Sequence, residues 1–109
     1  MYRTLDDFTI SESACPGGAV RLTVMGRITS NQAEILEKRL FEILEGDFPT
    51  VIINMEKVQF LSSVGIRTLL SAHKKAKERD GALYIERPSE NVKNVIGMVA
   101  LDMMLMPAR

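Results

Sequence analysis

The sequence predicts an α/β fold, a mixed β-sheet with helices mainly on one face, in the order β-β-α-β-α-β-α with room for a short final strand. Three observations predict it. Val51, Ile52 and Ile53 form an unbroken β-branched run, the pattern of a strand buried on both faces in the parallel part of a sheet. After Phe60 and Leu61 the apolar period changes: Ile66, Leu69, Leu70 and His73 follow at helical spacing. Val20, Leu22 and Val24 alternate with Arg21 and Thr23, as in a strand with one wetter face.

Taken in order, Phe8, Ile10 and Ser11 predict a first strand, and Ala14 to Gly18, with Pro16-Gly17-Gly18, a hairpin turn into the strand at Val20. Thr29, Ser30 and Asn31 are successive helix-capping candidates, and Asn31 with Glu34 approximates a capping box. The helix that follows has Ala33, Leu36, Leu40, Ile43 and Leu44 on one face and an i,i+4 pair, Glu34 and Lys38, on another. Gly46 is expected to stop it in a left-handed conformation. Asp47-Phe48-Pro49 leads into the strand at Val51, and Val58, Gln59 and Phe60 carry the chain to Ser62 and Ser63.

A second helix is predicted from Ser63 to about Arg79, with basic residues toward its C-terminus and Gly81 at C′. Leu83 to Glu86 predict the next strand, ended by Pro88. Ser89 or Asn91 can cap a third helix with Val92, Val95, Ile96 and Val99 inward. Met98, Met103, Met104 and Met106 are read as core filling. A strand–helix–strand crossover is right-handed almost without exception, which puts the connecting helices on one side of the sheet.

At 109 residues, the chain is expected to form one domain spanning residues 1–109. Fourteen basic residues balance fourteen acidic ones, which argues against direct nucleic-acid binding, because binding a phosphate backbone needs a basic surplus. One cysteine, Cys15, and one histidine, His73, offer neither an internal disulfide nor a zinc ligand set, and no metal or cofactor is expected. No apolar run reaches the length of a membrane span, so the expected location is the cytoplasm.

The seam at Ser62 and Ser63 is the chemically interesting stretch. Either serine can cap the second helix, and Gly65 in its first turn costs ~1 kcal/mol relative to alanine, so something is expected to pack closely there. A helix start tolerates an anion through its free N–H groups and positive dipole end, so a phosphate on either hydroxyl would leave the domain folded.

The segment Phe60-Leu61-Ser62-Ser63-Val64-Gly65-Ile66, with Leu69 and Leu70, resembles the signature of STAS domains, specifically the bacterial anti-sigma factor antagonists. In that family a strand ends in an Asp-Ser-Ser-Gly-like turn whose first serine is phosphorylated by the partner. The acceptor falls on Ser63 and the glycine on Gly65, while Ser62 stands at the aspartate and Val64 at the second serine. Gly26-Arg27-Ile28 resembles the family's Gly-Arg-Leu-Asp turn, and Gly81-Ala82-Leu83-Tyr84-Ile85 its Gly-Gly-x-Leu strand start. The usual aspartates are replaced by Thr29, Asn54 and Ser62, and the last replacement makes Ser62 a rival acceptor.

The resemblance implies a STAS fold and a phosphorylation-controlled binding protein that sequesters an anti-sigma factor, itself a serine kinase of the GHKL type, with a PP2C-type phosphatase reversing the mark. The expected partner-binding surface is Ser62, Ser63, Val64 and Gly65 with an exposed stripe of Arg67, Thr68 and Ser71, joined by the Thr29-Ser30 turn. An alternative is a STAS interaction module of a transport or signalling complex that is not phosphorylated. A serine hydrolase fits poorly. The seam is not Gly-x-Ser-x-Gly, and His73 lies nearly three turns along the same helix at about 3.6 residues per turn.

Overall fold

The computed structural model describes residues 2–5, 8–47 and 49–98. A five-stranded sheet carries β1 (Tyr2–Leu5), β2 (Phe8–Ala14), β3 (Val20–Ile28), β4 (Thr50–Leu61) and β5 (Ala82–Glu86) in spatial order 1-2-3-4-5. The first three strands are antiparallel neighbours, whereas β3, β4 and β5 run parallel and are linked by α1 (Ser30–Ile43) and α2 (Ser63–Glu78). α3 (Glu90–Met98) follows β5. β1 adds a strand before those that alternation predicted. The short final strand, Val99 and Met103, Met104 and Met106 lie outside the described residues.

The sheet has one dry face. Phe8 and Ile10, Leu22, Val24 and Ile28, Val51, Ile53, Met55, Val58 and Leu61, and Leu83 and Ile85 meet the inner sides of all three helices in one buried cluster. Ile52 is only half-buried and pairs with Arg21 and Tyr84 on the other face. The expectation that β4 is buried on both faces is therefore corrected. Its continuous apolar run reflects an outer face that is itself partly apolar, with Met25, Phe60 and Tyr84 exposed there.

Gly26-Arg27-Ile28 is the end of β3, not a turn. Gly26 has φ 103°, and the β3–β4 register slips on both sides of it, so this glycine serves a bulge. α1 buries Ala33, Leu36 and Leu40, and its C-cap Leu44 is buried as well, each large side chain contributing ~1.5–3 kcal/mol. Its capping box is Thr29 with Gln32, whose side chain accepts from the Thr29 N–H at 3.2 Å, in place of the expected Asn31 and Glu34. Gly46 has no left-handed φ. α1 ends at Leu44 in a helical conformation, with the next turn tightening to i→i+3 bonds from Glu45 and Gly46. Glu34 and Lys38 are not among the ion pairs of the described residues.

α2 ends in a Schellman motif. Asp80 takes the left-handed position (φ 59°), and the Gly81 N–H donates to the Ala76 carbonyl at 2.8 Å. Gly81 is thus C″, one residue beyond its expected place. Glycine is needed there for steric room, since a Cβ would lie 1.9 Å from the Pro49 carbonyl oxygen.

Among the described residues β5 pairs with Thr50–Asn54 of β4 and no further along that strand. The remaining edge of β4 is closed by the start of α3: Ser89 donates from its N–H to the Met55 carbonyl (3.1 Å) and from its Oγ to the Val58 carbonyl (2.7 Å). Asn91 donates to the Gln59 carbonyl (2.6 Å). Ser89 also caps α3, accepting from the Val92 N–H at 3.2 Å.

Candidate functional site

Because β3 and β4 are parallel neighbours, the helices that follow them start side by side at the same end of the sheet, where α/β folds place their sites. The two starts are tied by a backbone hydrogen bond from the Ser62 N–H to the Ile28 carbonyl (3.0 Å). The Thr29-Ser30 turn and the Ser62-Ser63 turn are therefore brought together.

The two serines have different surroundings. Ser62 is the N-cap of α2 in an extended conformation, and its Oγ accepts from the Gly65 N–H at 3.1 Å. Ser63 is the first helical residue and is exposed. Gly65 is buried: a Cβ there would meet Leu61 Cδ1 at 2.7 Å and Ile28 Cγ2 at 3.0 Å. The close approach that its glycine signals comes from the strand ends of the chain itself.

Between α1 and α2 a groove of about 210 Å³ opens beside this turn, lined by Val64, Arg67, Thr68 and Ser71 of α2 and by Glu34 and Glu37 of α1. Arg67 is exposed, Val64 and Ser71 are half-buried, and Thr68 is buried. Thr68 is thus the exception in the stripe expected to be exposed. The buried face of α2 is Gly65, Thr68, Leu69, Ala72 and Ala76, rotated away from Leu70, which is 38 % exposed. Small residues let α2 sit close to the sheet, and an apolar-only periodicity misses them. Glu34 and Glu37 were not singled out as site residues. Their signal was an exposed i,i+3 acidic pair, which becomes a groove wall only when α1 and α2 are packed together.

The family model of the STAS domain matches residues 12–107. The chain belongs to the STAS domain family. Solved structures share the fold. The anti-sigma factor antagonist SpoIIAA in its unphosphorylated form is 22% identical with a TM-score of 0.78, covering 92% of this chain and 88% of that one. The Bacillus cell fate determinant SpoIIAA in the phosphorylated form is 19% identical with a TM-score of 0.75, covering 92% and 91%. An anti-sigma factor antagonist from Mycobacterium paratuberculosis is 23% identical with a TM-score of 0.81, covering 96% and 90%.

In this STAS chain the residues at the three aspartate positions are all engaged. Thr29 and Ser62 cap α1 and α2, while Asn54 joins a polar cluster on the outer face of the sheet. There Arg21 holds Glu86 through two hydrogen bonds (2.9 and 3.0 Å), Asn54 donates to Glu86 at 3.4 Å, and Arg21 reaches Cys15 Sγ at 3.4 Å. Arg21 holds the Glu86 carboxyl below its usual range. His73 is half-buried, as a packing role predicts, and among the described residues its Nδ1 has no hydrogen-bond partner. Among the described residues no cluster of metal-ligating side chains occurs, and no helix is long and apolar enough to cross a membrane.

Proposed function

We propose that this STAS chain is an anti-sigma factor antagonist of the cytoplasm, a binding protein whose partner is an anti-sigma factor and serine kinase of the GHKL type. The observation that carries this reading is the division of labour at the turn. Ser62 supplies the cap, so the Ser63 hydroxyl stands exposed at the helix start. The SpoIIAA structures, of an antagonist in unphosphorylated and phosphorylated forms, support it by their shared fold.

In the proposed cycle, unmodified chain binds the partner through Ser62, Ser63, Val64, Gly65 and the Arg67–Ser71 groove, with Thr29 and Ser30 beside them. The kinase then transfers the γ-phosphoryl group of ATP. The Ser63 Oγ–P bond forms as the bond to the bridging oxygen of ADP breaks, and the hydroxyl proton passes to a base of the kinase. The mark adds roughly −1.5 to −2 charges at a close-packed contact and breaks the complex without unfolding the domain. A PP2C-type phosphatase restores the hydroxyl by hydrolysis, releasing inorganic phosphate.

Affinity capture from extract of the native host, with wild type, Ser63→Ala and Ser63→Asp as baits, tests this reading. Wild type and Ser63→Ala should retain a small ATP-binding kinase that Ser63→Asp loses. One observation favours a second reading, a constitutive STAS interaction module: no carboxylate stands beside Ser63 at the cap, because Ser62 occupies that place. Retention of the same proteins by all three baits would select it.

A further inference from the structure

The groove between α1 and α2 carries two carboxylates on one wall, Glu34 and Glu37, and one guanidinium on the other, Arg67. Four other arginines are already committed: Arg21 and Arg39 sit in ion pairs, Arg27 lies over the Phe60 ring, and Arg79 holds the carbonyls of Glu45 and Gly46. Among the described residues no ion pair engages Arg67. It is exposed on the same helix as Ser63, four residues toward the C-terminus. Residues at i and i+4 are neighbours on a helix surface, and long helical side chains lean toward the N-terminus, over the preceding turn. The turn preceding Arg67 is the one that begins with Ser63.

We propose that Arg67 is the internal counter-ion of a phosphate on Ser63, and that the mark thereby withdraws the cation that lines the α1–α2 groove. This inference rests on Ser63 as the modified residue and says how the mark is read. Before modification, the groove offers a partner a guanidinium opposite two carboxylates, suiting a segment with an acidic side chain for Arg67 and a basic one for Glu34 and Glu37. After modification, Arg67 turns back to the phosphate. The groove then keeps Glu34 and Glu37 beside a phosphate, so a partner carboxylate loses its counter-ion and meets net negative charge. The signal is thus carried about one helical turn from the modified residue by a single side chain, with the backbone unchanged.

The test needs no kinase. Phosphoserine is incorporated at position 63 during translation, in the otherwise wild-type chain and in its Arg67→Gln and Arg67→Lys variants, and the phosphate is titrated by phosphorus NMR. If Arg67 is the counter-ion, the second phosphate pKa is about 0.3 pH units lower with the arginine present than in Arg67→Gln, as an exposed i,i+4 ion pair implies. Arg67→Lys should keep part of the difference, and 1 M salt should remove it. In Arg67→Gln the Glu34 and Glu37 carboxylates act alone and push the phosphate pKa up. Equal values in wild type and Arg67→Gln, with both folded by circular dichroism, would overturn the proposal. Failure of Ser63 as the natural acceptor shows separately, in the capture experiment.

Discussion

The Ser62 N–H donates to the Ile28 carbonyl at 3.0 Å, so the first turns of α1 and α2 are locked to each other through the ends of two parallel strands. The Ser62 side chain, in turn, closes the first turn of its own helix. Fixing the helix start and displaying a hydroxyl are thus assigned to adjacent residues, which allows the two roles to be separated by mutation.

Ser62→Ala removes the cap and should destabilise the domain by about 1 kcal/mol, whereas Ser62→Asp should keep the cap and most of the stability. Urea denaturation of both variants checks this. A Ser62→Ala midpoint equal to wild type would mean that the Oγ–Gly65 bond does not hold the helix start.

Ser63→Asp, by contrast, should leave the fold intact and stabilise it by about 0.3–1 kcal/mol, because a carboxylate in the first turn meets the positive end of the helix dipole. The gain should shrink in high salt. A lowered midpoint would show that the position does not tolerate an anion, and the charge-based mechanism would fail with it.

Gly81→Ala should be more damaging than Gly65→Ala. At Gly65 the obstructing atoms are the side-chain ends Leu61 Cδ1 and Ile28 Cγ2, which can shift, at a cost of roughly 1–3 kcal/mol. At Gly81 the obstruction is the Pro49 backbone carbonyl, whose oxygen also accepts from Ala82 N–H at 2.8 Å, so the β4–β5 start must move as a whole. Thermal melts of the two variants, ranked against wild type, decide it.

Acid should weaken the fold through Glu12 and Glu86. Hydrogen bonds from Arg39 lower the Glu12 pKa from 4.5, and those from Arg21 lower that of Glu86. Each folded-state pKa lies below the unfolded one, so the unfolded chain binds more protons, and stability is complete above about pH 5 and lost as pH falls through the folded values. A Glu12→Gln, Glu86→Gln double variant should show a flatter stability profile below about pH 5 than wild type. Superimposable slopes would remove these pairs from the account.

From β2 onward the order of elements was legible because changes of apolar period coincide with real boundaries, as at Phe60–Ser63, whereas β1 (Tyr2–Leu5) carried no such change. What the sequence hid was geometry that only packing creates. Thr68 looks like a surface residue but is buried because Gly65, Ala72 and Ala76 bring α2 close to the sheet. Gly26 looks like a turn but serves a bulge inside β3. The Ser62-Ser63 turn was visible as a capping pair, yet which serine caps depends on where β4 ends. Glu34 and Glu37 belong to the groove only through the α1–α2 contact, which no local pattern announces.

The closure of the β4 edge by Ser89 and Asn91 also has a consequence for synthesis. The Ser89 hydroxyl reaches the Val58 carbonyl across 31 residues of sequence. At about 5–20 residues per second, the distal half of β4 leaves the ribosome roughly 2–6 s before the segment that covers it. During that interval the strand leading into the Ser62-Ser63 turn has a free row of backbone groups with Phe60 beside it. In that interval the nascent chain is open to chaperone capture along the strand that leads into this turn.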